Sequence, residues 1–249
     1  MRKQTLNVTY GCLLHDIGKV VFRAESASGT HSSLGWSFMN DIPAYKDAVE
    51  INDCIKYHHA KEIRQGTPKN DNICYISYIA DNISAAADRR ETDDAVGFER
   101  YLPLSSVFCH MNGEHPGNVL TSVKPDRKPL IPSQNPQYRL TEGMYNEIVS
   151  DLKNQLMTLT PDEQWLNSLL CIYEALTGRI PSSTNTGESP DVSLYDHSKI
   201  TAAVGACISE YLQDKGITDY KKTLFDNESS FIESDIEEVE FIPKMEEAI

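Results

Sequence analysis

The sequence predicts an all-α protein, and three observations lead to that fold class. Most of the 249-residue chain carries the hydrophobic period of amphipathic helices. Start and stop signals typical of helices bracket several of these periodic segments. Five of the 12 prolines gather in residues 110–140, which leaves few helix breakers elsewhere. With 40% hydrophobic and 24% charged residues, the chain has the composition of a soluble globular protein.

Four helices are predicted in the first half of the chain. They cover about residues 5–22, 32–41, 45–59 and 70–88. The fourth is strongly apolar, and its small residues Ser84 to Ala87 would allow another helix to approach closely. We therefore expect this helix to lie in the core.

The second half is predicted to hold one long loop and three further helices. Residues 110–140 are expected to form a Pro-rich insertion, with a small hairpin at most. The helices are expected at about residues 142–158, 160–178 and 194–215. The string Thr160-Pro161-Asp162-Glu163 predicts a capping box at the start of the second of these.

Charge and cysteine content limit the function classes. The net charge is −14, which argues against a large electrostatic grip on nucleic acid. Nine of the 37 acidic side chains lie in residues 226–249, so the rest of the chain is only mildly acidic and can hold cations in a site. None of the six cysteines forms a CxxC pair, and no apolar run is long enough to cross a bilayer. We expect reduced thiols, a cytoplasmic location and no membrane partner.

The sharpest local feature is the string Leu13-Leu14-His15-Asp16-Ile17-Gly18-Lys19. Adjacent helical residues point about 100° apart, yet the side chains of His15 and Asp16 can converge on one ion against the helix surface. Gly18 lets a backbone or a substrate come close. Lys19 lies three residues after Asp16, on the same face, where it can meet a phosphate oxygen.

Other polar residues extend this motif into a candidate metal site. They are His31, His58, His59, Asp81 and His197. Asp81 interrupts an apolar helix, where a carboxylate must pair, bind a metal or take up a proton. Mixed imidazole and carboxylate ligands suit Mn, Fe, Co, Ni or Zn better than Mg or Ca alone. Because the set exceeds what one tetrahedral ion needs, we expect two divalent transition-metal ions with Asp16 able to bridge them.

The histidines of this set also have structural interpretations that the sequence leaves open. His15 and Asp16 would then be a hydrogen-bonded pair in the core. His31 would then cap the helix that follows it. One of His58 and His59 would pack in the core or face solvent, and His197 would pair with Asp196.

Asp81 and two tyrosines beside the motifs also have both a structural and a functional interpretation. Asp81 would pair with Lys19 or Arg89 in the structural interpretation. Tyr57 and Tyr78 would stack on bases in the functional interpretation, and would simply be buried in the structural one.

Taken together, these residues resemble the HD phosphohydrolase superfamily. Within it they resemble the N-terminal HD domain of the Csm-type large subunit of type III CRISPR–Cas effector complexes. The matching strings are LLHDIGKVVFR at 13–23, GTHSSLG at 29–35, YHH at 57–59, YIADNISAAADRR at 78–90 and SLYDHSKITAA at 193–203. The His-Asp-Gly-Lys element is common to many hydrolases, whereas its combination with the last two strings is much more specific. The resemblance extends from residue 1 to about residue 228.

The resemblance implies a circularly permuted, all-α HD bundle over residues 1–216. In such a permuted fold the helix that bears the first superfamily histidine comes late in the chain, so His197 would lie beside His15. The family motif carries over onto seven metal ligands: His15, Asp16, His31, His58, His59, Asp81 and His197. His15, Asp16 and Lys19 would be the catalytic residues.

The resemblance also implies an activity and partners. The expected function is metal-dependent hydrolysis of single-stranded DNA, in an antiviral effector that contains other subunits and a guide RNA. Residues 217–249 would be an acidic extension toward a palm domain that this chain does not contain. No Gly-Gly-Asp-Asp motif occurs, so no synthesis of cyclic oligoadenylate is expected.

Two other functions stay open on the sequence. One is a different HD phosphohydrolase, which would act on nucleotides or cyclic nucleotides with the same metal ligands. The other is a degenerate HD domain that docks protein subunits and uses the same side chains for packing.

Overall fold

The computed structural model describes residues 1–24, 29–88, 97–113, 118–124, 132–135, 137–185 and 190–226. These residues form an all-α fold, as predicted. The helices are α1 (Lys3–Leu14), α2 (Ile17–Ala24), α3 (His31–Asn40), α4 (Pro43–Lys46), α5 (Val49–Lys56), α6 (Ala60–Gly66), α7 (Cys74–Asp88), α8 (Val107–Met111), α9 (Glu142–Leu156), α10 (Leu166–Thr177) and α11 (Leu194–Asp214). A π-helical turn, Lys221–Asp226, follows. No described helix has the length and apolar character needed to cross a membrane.

Three helices, α1, α7 and α11, pack on one another and form the centre of the core. Gly205 on α11 allows the close approach: a Cβ there would lie 2.6 Å from the Cys12 sulfur and 3.6 Å from Ala80 Cβ. The last long helix therefore lies directly against the first one. This is the arrangement that a circularly permuted HD bundle requires, and it brings residues from both ends of the chain together.

The first predicted helix, 5–22, is two helices in the structure. α1 ends at Leu14, and α2 begins at Ile17 after a turn at His15 and Asp16. Gly18 explains the change of direction, because a Cβ at this position would lie 1.8 Å from the carbonyl oxygen of His31. The backbone of α2 at Gly18 therefore packs directly against the backbone at the start of α3. The apolar period continues across the turn, so the sequence pattern did not reveal it.

Two further predicted boundaries are wrong. The helix expected at 45–59 is divided into α4 and α5, and the Asn52 side-chain amide donates to the Tyr45 carbonyl at the division, with 2.8 Å between the two atoms. The capping box at Thr160 does not form, since α10 begins only at Leu166. Thr160 Oγ1 donates instead to Asp162 Oδ2 at 2.6 Å. This local turn competes with helix initiation.

Residues 110–140 form an irregular insertion, as far as they are described. α8 lies at the start of this insertion and ends at Met111. In place of a regular hairpin, the described residues contain isolated β-bridges, from Ser105 to Val119 and from Val119 to Ser133.

The described part of the acidic extension packs on the helical body. Tyr220 is buried and accepts a hydrogen bond from the Gln4 side chain at 2.7 Å. The Phe225 ring lies 5.5 Å from the ring of Tyr78, measured between centroids. Residues 217–226 therefore contact α1 and α7. The acidic residues after 226 lie outside the described residues, and the division at residue 216 stays a prediction.

Candidate metal centre

The turn between α1 and α2 carries His15 and Asp16 into the interior. Both side chains are buried. His15 Nδ1 donates to the Cys12 carbonyl at 2.6 Å, which directs Nε2 away from its own helix. His15 Nε2 lies 3.3 Å from Asp16 Oδ2 and 3.3 Å from Asp81 Oδ1.

Asp81 and His197 complete a buried group on this side of the turn. Asp81 comes from α7 and His197 from the first turn of α11, and His197 Nε2 lies 3.1 Å from Asp81 Oδ1. We call His15, Asp16, Asp81 and His197 the inner cluster. Their ligand atoms all lie within 4.8 Å of one another.

Three histidines form a second group, which we call the outer cluster: His31, His58 and His59. His31 Nε2 lies 3.1 Å from His58 Nε2 and 2.9 Å from His59 Nε2. His58 Nδ1 donates to the Ile55 carbonyl at 2.7 Å, so its Nε2 faces the other two rings. The ligand atoms of this cluster also lie within 4.8 Å of one another.

The structure answers one of the structural alternatives. Thr30 rather than His31 caps α3, since its hydroxyl accepts from the Ser33 amide. His58 is fully buried and lies with His59 in the outer cluster, so ligand binding by each of the two stays a prediction.

Asp16 joins the two clusters through its two carboxylate oxygens. Oδ2 faces the inner cluster, 3.3 Å from His15 Nε2 and 3.6 Å from His197 Nε2. Oδ1 faces the outer cluster, 3.3 Å from His31 Nε2 and 3.6 Å from His58 Nε2. A single carboxylate therefore contacts both groups of imidazoles.

Lys19 is the cation nearest to this carboxylate in the described residues. Its Nζ lies 2.6 Å from Asp16 Oδ2, one turn along α2. The side chain is partly exposed and lines the cleft above the outer cluster. Asp81 pairs with His15 and His197 instead of with Lys19, and Arg89 lies outside the described residues.

The chemistry of these side chains fits bound divalent cations. His15 Nε2 and Asp16 Oδ1 are buried, and neither has a well-aligned hydrogen bond in the described part of the chain. Their polar neighbours at 3.3 Å are other atoms of the two clusters, and such a group of buried, poorly aligned nitrogen and oxygen atoms is compatible with a shared cation. The backbone carbonyls that hold the Nδ1 atoms of His15 and His58 are the outer-shell contacts common at metal-binding histidines.

Opposed charges shift the pKa values of the inner cluster. Burial alone would raise the pKa of Asp16, but Lys19 and His15 outweigh it and hold that pKa well below its usual range. The pKa of Asp81 is lowered in the same way by His15 and His197. Burial alone would lower the pKa of His15, but the two carboxylates raise it to about 10. Both carboxylates are therefore ionised at neutral pH, and His15 carries a proton that a bound cation would have to displace.

In the outer cluster the pKa values of two histidines are lowered, whereas that of His15 is raised. Burial lowers the pKa of His58 well below its ordinary value, and the neighbouring His59 and His15 lower it further. Burial and His31 lower the pKa of His59. These imidazoles are neutral at physiological pH, which is the form that binds a metal.

A cleft of about 400 Å³ opens above the outer cluster. His31, His59 and Lys19 line one side of it, and residues 182–185 line another. Phe22, Arg23 and Phe98 also line the cleft, and the sequence reasoning missed them. For Phe22 a signal was present, because it lies three residues after Lys19 on the same helical face.

The two tyrosines considered for base stacking do not line the cleft. Tyr78 is buried against Phe225, and Lys56 Nζ lies 5.0 Å from the ring centroid of Tyr57. The structural interpretation therefore applies to Tyr78.

No protein-family model matches the chain. Among curated proteins it is similar to the CRISPR system single-strand-specific deoxyribonuclease Cas10/Csm1 (subtype III-A) of several organisms. It is 39% identical to the protein of Enterococcus italicus over 235 aligned residues. The alignment covers 88% of this chain and 31% of that protein. The protein of Streptococcus thermophilus is 34% identical and that of Mycobacterium tuberculosis 36% identical, covering 94% and 93% of this chain. The chain spans about a third of the length of these relatives.

Solved structures of the same family share the fold. The crystal structure of Csm1 from T. onnurineus superposes with a TM-score of 0.66 at 25% identity, covering 88% of this chain and 29% of that one. A Csm1–Csm4 cassette in complex with pppApA gives a TM-score of 0.64 at 23% identity, over 88% of this chain and 29% of that one.

Proposed function

This chain belongs to the Cas10/Csm1 family, and from that membership we propose that it is a divalent-metal-dependent nuclease of single-stranded DNA in a type III CRISPR effector. One observation carries the proposal. Two clusters of metal-ligand side chains face the two oxygens of a single buried aspartate, beside a cleft that opens to solvent.

Two ions would be held by the two clusters. His15, Asp81 and His197 would hold one, His31, His58 and His59 the other, and Asp16 would contribute to both. The mixture of imidazole and carboxylate ligands suits Mn, Fe, Co, Ni or Zn. When bound, divalent ions supply Lewis-acid chemistry, which lowers the pKa of water and offsets negative charge on a phosphodiester.

The protein's own side chains would orient and bind. The carbonyls of Cys12 and Ile55 fix the two buried imidazoles in one tautomer and one direction. Lys19 would steady a non-bridging phosphate oxygen at the cleft, acting as a point charge. The walls of α1, α7 and α11 exclude bulk water from the inner side, which strengthens these electrostatic interactions.

Partners follow from the same premise. The relatives are type III-A deoxyribonucleases, and one similar structure is a Csm1–Csm4 cassette. We propose that this chain, too, acts within such a complex, with other protein subunits and a guide RNA. The net charge of −14 agrees with this view, because an acidic protein would rely on partners to deliver the strand.

A second candidate function has one observation in its favour. A cleft of about 400 Å³ lies within the range of sites for small molecules. An HD phosphohydrolase acting on nucleotides would use the same metal ligands. Parallel assays with single-stranded DNA and with mononucleotides separate the two functions.

The testing experiment is cleavage of a labelled single-stranded DNA across a series of divalent metals. We expect cleavage with Mn²⁺ or another transition metal and none in EDTA. Asp16→Ala should lose at least about 100-fold in rate, since even outer-shell partners of metal ligands are worth about 10- to 100-fold. Asp71→Ala, at an exposed carboxylate before α7, serves as the matched control and should cleave normally. Undiminished cleavage in EDTA would overturn the proposal.

A further inference from the structure

The wall of the cleft beyond the outer cluster is built from two phenylalanines. The ring centroids of Phe22 and Phe98 lie 5.9 Å apart, with the planes at 60° in an edge-to-face arrangement. Phe98 is 60% exposed, although it lines the same cleft as His31 and His59. A large aromatic ring left in water beside a polar site is a candidate contact surface for a ligand.

The geometry of α2 relates this pair to the metal centre. Asp16 precedes α2, and Lys19 and Phe22 follow it at steps of three residues. Residues three apart share one helical face and advance about 4.5 Å along the axis. Phe22 therefore continues the row beyond Lys19, away from Asp16. A strand whose phosphate meets Lys19 would bring its next base to the phenylalanine pair.

Cations flank the aromatic pair. The guanidinium carbon of Arg100 lies 4.5 Å from the ring centroid of Phe22. Arg23 is buried under the cleft and donates to the Pro181 carbonyl at 2.7 Å. Among the described residues, no carboxylate forms an ion pair with Arg23. Glu62 is the carboxylate found on the rim of the cleft. Lys19 and Arg23 are therefore the cations of the described cleft lining that a phosphate backbone would meet.

Backbone contacts hold Phe98 in place before any ligand arrives. Phe98 forms an antiparallel bridge with Asn185, and the Glu99 amide donates to the Thr184 carbonyl at 3.0 Å. The same segment of residues 182–185 lines the cleft and is tied to α2 through Arg23. The backbone that carries the ring is therefore already ordered, so binding need not order this segment.

We propose that Phe22 and Phe98 form a subsite of the cleft on which one unpaired base of a single strand stacks. Stacking needs a free face on the base, and neighbouring bases cover both faces in a duplex. The subsite would take a single unpaired base of any sequence, because every base has an aromatic face. This inference rests on the proposed nuclease function, and it names the feature of the cleft that recognises the substrate.

The test measures binding in EDTA, where cleavage cannot occur. Fluorescence anisotropy would compare a short labelled single-stranded DNA with an abasic strand of equal length and charge, at low ionic strength. We expect Phe98→Ala to weaken binding of the normal strand by about 5- to 150-fold, the range for loss of one stacked base. Phe98→Trp should keep the affinity. Binding of the abasic strand should be the same for the wild type and for Phe98→Ala.

Phe108→Ala provides the matched control, because Phe108 is an exposed phenylalanine on α8 and does not line the cleft. It should bind both strands like the wild type. An unchanged affinity of Phe98→Ala for the normal strand would overturn the proposal. So would an equal loss for the abasic strand, or a wild type that does not distinguish the two strands. If the wild type distinguishes the strands in EDTA but never cleaves with any metal, the nuclease proposal fails and the stacking subsite stands.

Discussion

The inner and outer clusters use the same imidazole chemistry in different surroundings. The inner cluster is buried on all sides by α1, α7 and α11 and contains two carboxylates. The outer cluster contains imidazoles alone, shares Asp16 with its neighbour, and opens through His31 and His59 into the cleft. The inner site is therefore suited to hold an ion firmly. The outer site is suited to exchange ligands with a substrate.

The charges of the side chains also differ between the inner and the outer cluster. The ionised carboxylates of Asp16 and Asp81 attract a cation into the inner site, where little water competes. The outer cluster has no carboxylate besides the shared Asp16, and burial lowers the pKa of His58 and of His59, which keeps these two imidazoles neutral. We therefore expect the two ions to differ in affinity, with the inner one tighter.

The largest expected effect follows from removing an inner ligand. Asp81→Asn keeps the shape of the side chain but removes its charge, and leaves His15 and His197 without their shared carboxylate. We expect single-stranded DNA cleavage to fall by at least about 100-fold, and excess metal should not restore it. Asp196→Asn is the control, since Asp196 is exposed and bonds to the α11 cap Ser193. Recovery of Asp81→Asn at millimolar metal would contradict the difference between the clusters.

A smaller effect is expected at the outer cluster. His59→Gln removes one imidazole next to the cleft while Asp16, His31 and His58 remain. Cleavage should fall about 10- to 100-fold at low metal concentration and recover as metal is raised. The measurement is the rate as a function of metal concentration. A rate that stays low at saturating metal would place the outer histidine in a role other than ion binding.

Removal of the metals should affect stability moderately. An ion at 100 times its dissociation constant stabilises the folded state by about 2.7 kcal/mol. For a chain of this size, that corresponds to a shift in Tm of about 5–10 °C. Stepwise chelation followed by calorimetry should show most of this shift when the last ion leaves. A shift that comes entirely with the first ion would reverse the order of affinities proposed here.

The smallest effect on the site is expected at Gly18. A Cβ at this position meets the His31 carbonyl and the Gly35 amide, so Gly18→Ala must push α2 and α3 apart. Overpacking of this kind costs about 1–3 kcal/mol. Gly143→Ala is the control, because a Cβ there would meet the Thr141 hydroxyl at 3.8 Å, an ordinary van der Waals contact. Urea unfolding of both variants measures the difference, and equal stabilities would contradict the close approach.

The sequence predicted the all-α class better than the helix boundaries. The structure brings the seven candidate ligands into two adjacent clusters, and their role as metal ligands stays a prediction. Motifs such as His15-Asp16 and the buried Asp81 are visible in the sequence, because a carboxylate in an apolar helix needs a partner. The turn between α1 and α2 was not visible, since its cause is the contact of Gly18 with a segment that follows later. The absent capping box at Thr160 has a similar explanation, as the local side-chain bond to Asp162 competed with the helix.

The cleft was the least predictable part of the site. Phe98 and residues 182–185 come together through a backbone bridge between segments far apart in the chain. No periodic pattern marks either segment. The resemblance to the HD superfamily supplied the candidate metal ligands, but it could not supply a cleft wall that depends on this chain's own loops.

The most direct test of the central claim is anomalous X-ray diffraction from crystals of this chain grown with Mn²⁺. We predict two anomalous peaks on opposite sides of the Asp16 carboxylate, one next to His15, Asp81 and His197 and the other next to His31, His58 and His59. A single peak, or peaks that do not contact Asp16, would contradict the claim that one buried aspartate joins two metal sites.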